Sequence, residues 1–366
     1  MTMMSQPPSI QMTLSDSDSN QSSQSTSPLP MLSDQPMVIS ESGNIYEICG
    51  MVRETRLGGV YHARLLVLDP KTDTYVRHAQ PLVLKTYDKL RVAKLQETVQ
   101  QTPYKYQENP LNEMMIMTLL SQYNPHGNIM KTIEIFSDLQ FFFMVMPYCH
   151  GGDVMDLLER HEMQGIAHCE ARKVLRQVLM GLRHLHDKGI AHRDLSVENI
   201  VYNPLDDTYM IIDLGMSLHV PSHTHTHTPS PSHILNTAVC GKPNYIAPEV
   251  WAHTPYIDPY KGDVWALGVM VFMMVTGCAP MHTSKATDMH YQLICEQGRL
   301  MDVYVASCKR LVCNPSHAHS PTPEDVMVVD LMQRMLSADP IHRISIQDIL
   351  AHPWMMGDGN APVMEG

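Results

Sequence analysis

The stretch IAHRDLSVENIVYNPLDDTYMIIDLG, from Ile190 to Gly215, decides the reading of this chain. It holds His192-Arg193-Asp194, then Asn199 five residues after Asp194, then Asp213-Leu214-Gly215. Between them lie two short apolar segments, Asn199 to Tyr202 and Tyr209 to Asp213, which read as strands. Asn203-Pro204-Leu205-Asp206-Asp207 joins them, and proline and Asx residues favour a turn there. Such a hairpin brings Asp194, Asn199 and Asp213 to one end. Three oxygen-bearing side chains at one place suit a hard divalent cation and a hydroxyl nucleophile. The bland alternative is an Asx-rich turn beside a capping aspartate. The combined H-R-D-x4-N and D-x-G pattern is far more specific than an Asp and an Asn alone.

At these residues the chain resembles a eukaryotic protein kinase. The resemblance implies an α+β, two-lobed fold with a small, mostly β N-lobe and a large, mostly α C-lobe. It implies that Asp194 accepts or orients the proton of a substrate hydroxyl, and that Asn199 and Asp213 hold the magnesium ions bridging the phosphates of ATP.

Composition sets the outer limits. The chain has 366 residues, 44% of them hydrophobic and 17% charged, enough for one two-lobed domain or two small ones. A net charge of −12 gives no overall basic footprint for nucleic acid. Eight cysteines are scattered through the chain, and MTMMSQPPSI lacks the basic-then-apolar pattern of a signal peptide. Free thiols in a reducing, intracellular compartment are the expectation, in the cytoplasm or the nucleus. Val264 to Met281 is apolar for eighteen residues, a borderline length for a membrane span. A helix buried in the large lobe is the preferred reading, with Asp263 capping its start and Gly277 and Pro280 stopping it.

Residues 1–43 are rich in Ser, Gln, Asp and Pro and are expected to be disordered. Ser27-Pro28 is either a proline-directed phosphosite or an unused dipeptide. The kinase resemblance then covers residues 45–354, as an N-lobe (45–146), a hinge (147–150) and a C-lobe (151–354), leaving a short tail (355–366). The twelve residues after Trp354 are expected to hold no autoinhibitory or calmodulin-binding helix.

Ile45 to Leu68 alternates as two strands around a turn. Leu57-Gly58-Gly59-Val60 matches the end of a kinase glycine loop, with Gly58 on the third glycine and Val60 over the adenine. Arg53 and Thr55 stand where the first two glycines belong, a departure, since backbone approaches phosphates best without a Cβ. Pro81 to Tyr87 is a strand carrying Lys85, which either snorkels or, as the resemblance implies, contacts the α- and β-phosphates. Its partner should be Glu113, on a helix with Met117 and Leu120; Glu108 is the alternative, interrupted by Pro110. The long spacing from Lys85 to Glu113 is expected to loop out near Gln100 to Asn109.

Phe141 to Met146 reads as a buried strand, with Met146 as gatekeeper. Adenine would bond backbone groups at Pro147 and Cys149. Asp153 either bonds the ribose, caps the helix from Val154 to Arg160, or does both. Cys169 to Lys188 is an amphipathic helix with Val174, Leu175, Val178, Leu179, Leu182 and Leu185 on one face.

After Gly215 comes the activation segment, with the low-complexity insert 221–233. Its alternating histidines bind a metal or belong to a plain insertion. The residue expected to carry the activating phosphate for Arg193 is Ala238, so the switch is displaced to Thr237, relocated to Thr228 or Ser230, or missing. Further on, Asp263 should brace the catalytic-loop backbone and Glu249 should pair with Arg343. The sequence from Gly241 to Glu249 looks like the Ser/Thr class. The ending HRISIQDILAHPW is closest to the calcium/calmodulin-dependent and AMP-activated kinase groups.

Two side chains have changed places. Ser196 stands where such kinases have lysine, and Lys242 stands where they have Ser or Thr. A swap keeps one charge and one hydroxyl in the same space, so Lys242 is expected to serve the γ-phosphate and Ser196 to bond near Asp194. Glu198 matches an acid used toward substrate arginine, but its usual second acid is Met273 here, which weakens that preference. The expected function is transfer of the γ-phosphoryl of MgATP to protein Ser/Thr hydroxyls. The alternative is a pseudokinase that binds or scaffolds.

Overall fold

The computed structural model describes residues 35–101, 108–220, 234–235, 239–310 and 321–357. The chain divides into two compact units. The first takes in the residues up to Asp88 together with Phe136–Tyr148; the second holds Lys89–Ile135 and everything from Cys149 on.

The first unit is built on a six-stranded sheet in the order β1-β2-β3-β4-β6-β5. Its strands are β1 (Met37–Ile39), β2 (Ile45–Thr55), β3 (Gly58–Asp69), β4 (Thr74–Asp88), β5 (Glu134–Ser137) and β6 (Phe141–Pro147). Side chains alternate across a strand, and the register divides them cleanly. Lys85 lies opposite Val60 on β3 and Met144 on β6, and Val83 lies opposite Met146. The other parity supplies Ala63, Leu82, Leu84, Phe143 and Val145, which join Tyr46, Ile48 and Phe136 in one apolar cluster.

β1 corrects the expectation that residues 1–43 are disordered. Met37–Ile39 pairs antiparallel with Ile45–Glu47, and Val38 is buried in the same cluster. Burial of one β-branched side chain and the backbone pairing offset the ordering cost that composition alone suggested. Residues 1–34, including Ser27-Pro28, lie outside the described residues.

The second unit opens with α1 (Lys89–Gln101) and α2 (Pro110–Tyr123). α1 runs through part of the expected loop-out; residues 102–107 lie outside the described residues. Pro110 does not interrupt a helix. It begins α2 directly after the cap Asn109, whose side chain accepts from Asn112 N, because proline suits the first turn, where no N–H partner is needed. This stretch was expected in the N-lobe but groups with the second unit. Asn109 N donates to Gly215 O at 2.8 Å, Met130 N to Ile211 O at 2.9 Å, and Asn112 Nδ2 to Ser217 O at 3.1 Å.

The rest of this unit follows as α3 (Val154–Arg160), α4 (His168–Asp187), β7 (Ile190–Ala191), β8 (Ile200–Asn203), β9 (Thr208–Ile211), β10 (Leu218–His219), β11 (Ile234–Leu235), α5 (Pro248–Trp251), β12 (Tyr256–Ile257) and α6 (Pro259–Thr276). The short α7 (Met289–Tyr291), then α8 (Leu300–Arg310), α9 (Pro323–Met335), α10 (Ile346–Leu350) and α11 (Pro353–Met356) complete it. α4 buries Val174, Leu175, Val178, Leu179, Leu182 and Leu185, the face expected from its period. α6 is buried nearly all round, which explains an apolar run without a polar stripe. Its cap is Asp258, not Asp263, and Gly277 closes it in the left-handed region at φ 73°. Among the described residues no helix is long and apolar enough to cross a membrane. The expected tail begins too early at 355, since Trp354 and Met355 are both buried.

Candidate active site

The β8–β9 hairpin forms as the sequence suggested, with Ile200 opposite Ile211 and Asn203 opposite Thr208. Ahead of it, β7 delivers the chain into His192-Arg193-Asp194. That turn is held from inside. Asp263, buried within α6, accepts from His192 N at 2.9 Å and Arg193 N at 2.7 Å. His186 Nε2 lies 2.8 Å from the same carboxylate. Arg193 has φ 67° and Asp213 φ 64°, a region costly for side chains with a Cβ. At Arg193, the bonds from Asp263 supply the constraint that keeps it there. His192 Nδ1 accepts from Asp194 N at 3.2 Å, so its proton sits on Nε2, which donates to Ile212 O at 3.1 Å. One buried ring thus ties the Asp194 loop to the approach to Asp213.

Asn199 donates its Nδ2 to Asp194 O at 2.7 Å and to Asp194 Oδ2 at 3.2 Å. The amide nitrogen is thereby fixed toward Asp194, and the amide oxygen is the atom it offers to a ligand. Burial pushes the Asp194 carboxyl above the usual carboxylate range. His192 and Lys242 pull it down, and the Asp213 charge pushes it up further. Asp213 Oδ1 accepts from Gly215 N at 3.3 Å. Glu113 is buried, and a Cβ on Gly215 would lie 3.3 Å from its Oε2 and 3.2 Å from Asp213 Oδ1. Asp194, Asn199, Asp213 and Glu113 therefore occupy one unit, close to the same turn.

Lys242 meets Ser196. Its Nζ donates to Ser196 Oγ at 2.6 Å and lies 2.9 Å from Glu198 Oε2. Just before Lys242, Gly241 lies at φ 94°, where a Cβ would stand 3.0 Å from Arg193 O. Glu198 is thus the partner of Lys242, which the sequence did not reveal. Tyr245 was also missed. Its hydroxyl accepts from Val197 N at 3.3 Å and donates to Met273 Sδ at 3.0 Å. No sequence signal links Tyr245 to Met273, because the contact joins separate elements.

The remaining sequence candidates divide between the units. Val60, Lys85 and Met146 share the sheet face described above, and the Lys85 ammonium lies 5.3 Å from the Tyr87 ring centre. Pro147 ends β6 opposite Leu82. Gly58 has a packing reason to be glycine, because a Cβ would fall 2.1 Å from Thr86 O. Cys149 is buried, which pushes its thiol up to about 11, and its carbonyl accepts from Gly152 N at 3.3 Å. Asp153 caps α3 in a reciprocal capping box with Asp156. Glu249 and Arg343 form a bidentate pair at 2.7 and 2.9 Å. Thr228, Ser230, Thr237, Ala238 and the histidine run lie outside the described residues.

Among the described residues no three His, Cys, Asp or Glu side chains form a metal cage. Magnesium takes one or two carboxylates and completes its shell with phosphate oxygens and water. Asp213 and the Asn199 amide oxygen would be such a partial set.

The protein kinase domain family matches residues 80–355, and the chain belongs to that family. The match begins in β4, so Thr55 and Gly58 lie before it. Serine/threonine-protein kinase H1 of Homo sapiens is 30% identical over 234 residues, covering 63% of this chain and 48% of that protein. Calcium/calmodulin-dependent protein kinase type 1 of Caenorhabditis elegans is 27% identical over 254 residues, covering 69% of this chain and 63% of that protein. A calcium and calcium/calmodulin-dependent kinase of Oryza sativa is 26% identical over 250 residues, covering 68% and 43%. The chain spans about half the length of the first curated relatives it matches. The six-stranded sheet unit and the helical unit are the two parts of the kinase fold.

Proposed function

We propose that this chain is an active serine/threonine kinase that transfers the γ-phosphoryl of ATP, with magnesium, to a protein hydroxyl. The observation that carries the reading is the single cluster of Asp194, Asn199, Lys242, Ser196 and Glu198. Asp194 takes or orients the hydroxyl proton, and its loop is locked by Asp263 and Asn199. Asn199 and Asp213 would hold the metal, which would neutralise charge on the phosphates. Lys242 supplies the positive charge toward the γ-phosphate, with Ser196 and Glu198 fixing its ammonium. Catalysis of this type is positioning plus charge stabilisation, and Asp194, Asn199, Lys242 and Ser196 are held by hydrogen bonds in the folded chain. Lys85 serves the α- and β-phosphates. The setting is intracellular.

A second reading, a binding module that kept the fold, draws support from Arg53 and Thr55 at the first two glycine positions and from Ser196 and Lys242 in place of the usual residues. The two are separated by incorporation of labelled phosphate from MgATP into a protein substrate, with Asp194→Asn as control. Asp194→Asn is expected to abolish transfer while nucleotide binding, followed by thermal shift, stays near the parent value. Equal loss of binding and transfer contradicts the role given to Asp194. No transfer by the parent chain favours the binding module.

A further inference from the structure

A cavity of about 810 Å³ opens in the second unit, lined from α5, β12, the start of α6, the residues leading into α7 and the loop before α10. Clefts of about 300–1,000 Å³ are the size that small-molecule ligands occupy. Its walls include Trp251, Tyr256, Ile257, Tyr291 and Ile341, and none of its lining residues belongs to the cluster around Asp194. Tyr256 is 61% exposed and Ile341 83%. Large apolar side chains gathered at one hollow and left open to water mark a binding surface.

Of the charged residues that line the cavity, all but Lys285 are engaged within the chain. Both Glu249 oxygens accept from the Arg343 guanidinium. Asp258 Oδ1 accepts from Tyr260 N at 3.0 Å and Lys261 N at 3.4 Å, and the Lys261 ammonium donates to Arg343 O. Lys285 is exposed. Its ammonium lies 3.9 Å from the centre of the Trp251 ring and has no carboxylate partner among the described residues. A ring face attracts a cation but does not neutralise it. Trp251 Nε1 is itself buried without an acceptor among the described residues, and an unmet donor of that kind is a cost that calls for a cause. With Arg343 behind Glu249, cations outnumber carboxylates here, so the missing partner is an anion. The lining is drawn from three stretches, 248–261, 284–291 and 338–341, which suits a compact body with aromatic faces.

We propose that this cavity binds a small aromatic carboxylic acid, its carboxylate on the Lys285 ammonium and its ring among Trp251, Tyr256 and Tyr291. A neutral ligand would leave the ammonium unpaired, and a cationic one would meet Lys285 already on the ring. The inference stands apart from phosphoryl transfer and holds for an active enzyme or a binding module alike.

The test is calorimetric titration of the full chain with two acids, diphenylacetate and cinnamate, and with diphenylacetamide and benzhydrylamine as neutral and cationic counterparts. Diphenylacetate is expected to bind about tenfold tighter than the amide or the amine, the worth of one hydrogen bond to a charged group. Lys285→Met keeps the stem and removes the charge, so it should weaken the acid by about the same factor and leave the amide unchanged. Ala286→Phe narrows the cavity and should weaken acid and amide together. Proton–nitrogen correlation spectra locate the ligand. Of the three tryptophans, Trp265 and Trp354 are fully buried, and the indole signal missing from Trp251→Phe should be the one that shifts with the acid. Should Lys285→Met fold poorly, Lys285→Gln gives the same readings. Binding of neither acid, equal binding of acid and amine, or an acid affinity that the Lys285 variants do not change overturns the proposal. Tighter binding by the peptide acetyl-Phe-Glu-Phe-amide than by either acid overturns the small-molecule occupant.

Discussion

At the scale of single residues, the proposed activity rests on the pair of Ser196 and Lys242. The two side chains touch, at 2.6 Å, so substitutions there should not act independently. Lys242→Thr alone is expected to lower kcat by roughly 10²–10³, the loss seen when one stabilising donor is removed. Ser196→Lys alone should also impair, since it crowds a second ammonium into a buried position. The double variant should recover much of the rate. Simple additivity of the two losses in a turnover cycle at saturating ATP sinks the swap. A pH profile adds an independent reading. Asp194 must be ionised to take a proton, and burial already holds its carboxyl above the ordinary range while Lys242 draws it down. Removing that cation should move the acid limb of kcat to higher pH; an unmoved limb means that Lys242 does not face Asp194. The residue types of this cluster were legible in the sequence. Its partner Glu198 was not, because nothing in residue spacing says which acid a flexible lysine stem will reach.

At the scale of elements, one helix cap ties together three helices of the large unit. Asp325 sits in the first turn of α9 and accepts from Thr322 N and Oγ1, both at 2.8 Å. Tyr304 of α8 donates to it, and His168 at the start of α4 lies 3.2 Å away. Burial opposes its ionisation, but the hydrogen bonds from Tyr304 and Thr322 and the nearby His168 outweigh it, holding the carboxyl down to about 2. A carboxyl depressed in the folded state stabilises above its unfolded value of about 3.9 and ceases to do so as pH falls through the folded value. Asp325→Asn is therefore expected to lower the denaturation midpoint by a constant gap above about pH 5. That gap should close as pH falls from about 4 toward 2. A gap independent of pH, in urea melts at stepped pH, means the carboxylate charge contributes nothing. The helices themselves were readable from period and caps. α6 was misplaced at its start because an all-apolar helix has no polar edge to mark the boundary, and Asp258 and Asp263 look alike until burial separates them.

At the scale of the whole molecule, long-range pairs join what the sequence keeps apart. Arg343 is fully buried, with both terminal guanidinium nitrogens on Glu249 and one also on Lys261 O at 2.7 Å. This links α5, at the end of the activation segment, to the loop before α10. Breaking a buried pair strands the partner charge, so Arg343→Ala should cost about 3–5 kcal/mol in chemical denaturation. Replacing both partners with apolar residues, Glu249→Leu and Arg343→Met, should cost less, because no charge is left unpaired. Equal losses in the two experiments contradict that account.

The sequence by itself determined the family, the order of the motifs and the hairpin that joins Asn199 to Asp213. Those depend on local spacing and on residue types that few other patterns supply. It also foresaw that Asp263 braces the catalytic loop and that Glu249 meets Arg343, because the resemblance carried those pairs with it. Only the tertiary structure decided that Met37–Ile39 is a strand, since a three-residue element has no period and is stabilised by the neighbour it pairs with. It likewise decided that α2 belongs with the large unit, through bonds from Asn109 and Asn112 to the Gly215 turn. Tertiary structure also gave Gly58 its reason, a Thr86 carbonyl 2.1 Å from where a Cβ would stand, and closed the tip of the β2–β3 hairpin with the hydroxyls of Thr55 and Thr86. Thr86 lies 27 residues from Gly59, and a hydrogen bond across that separation exists only once the strands between have paired.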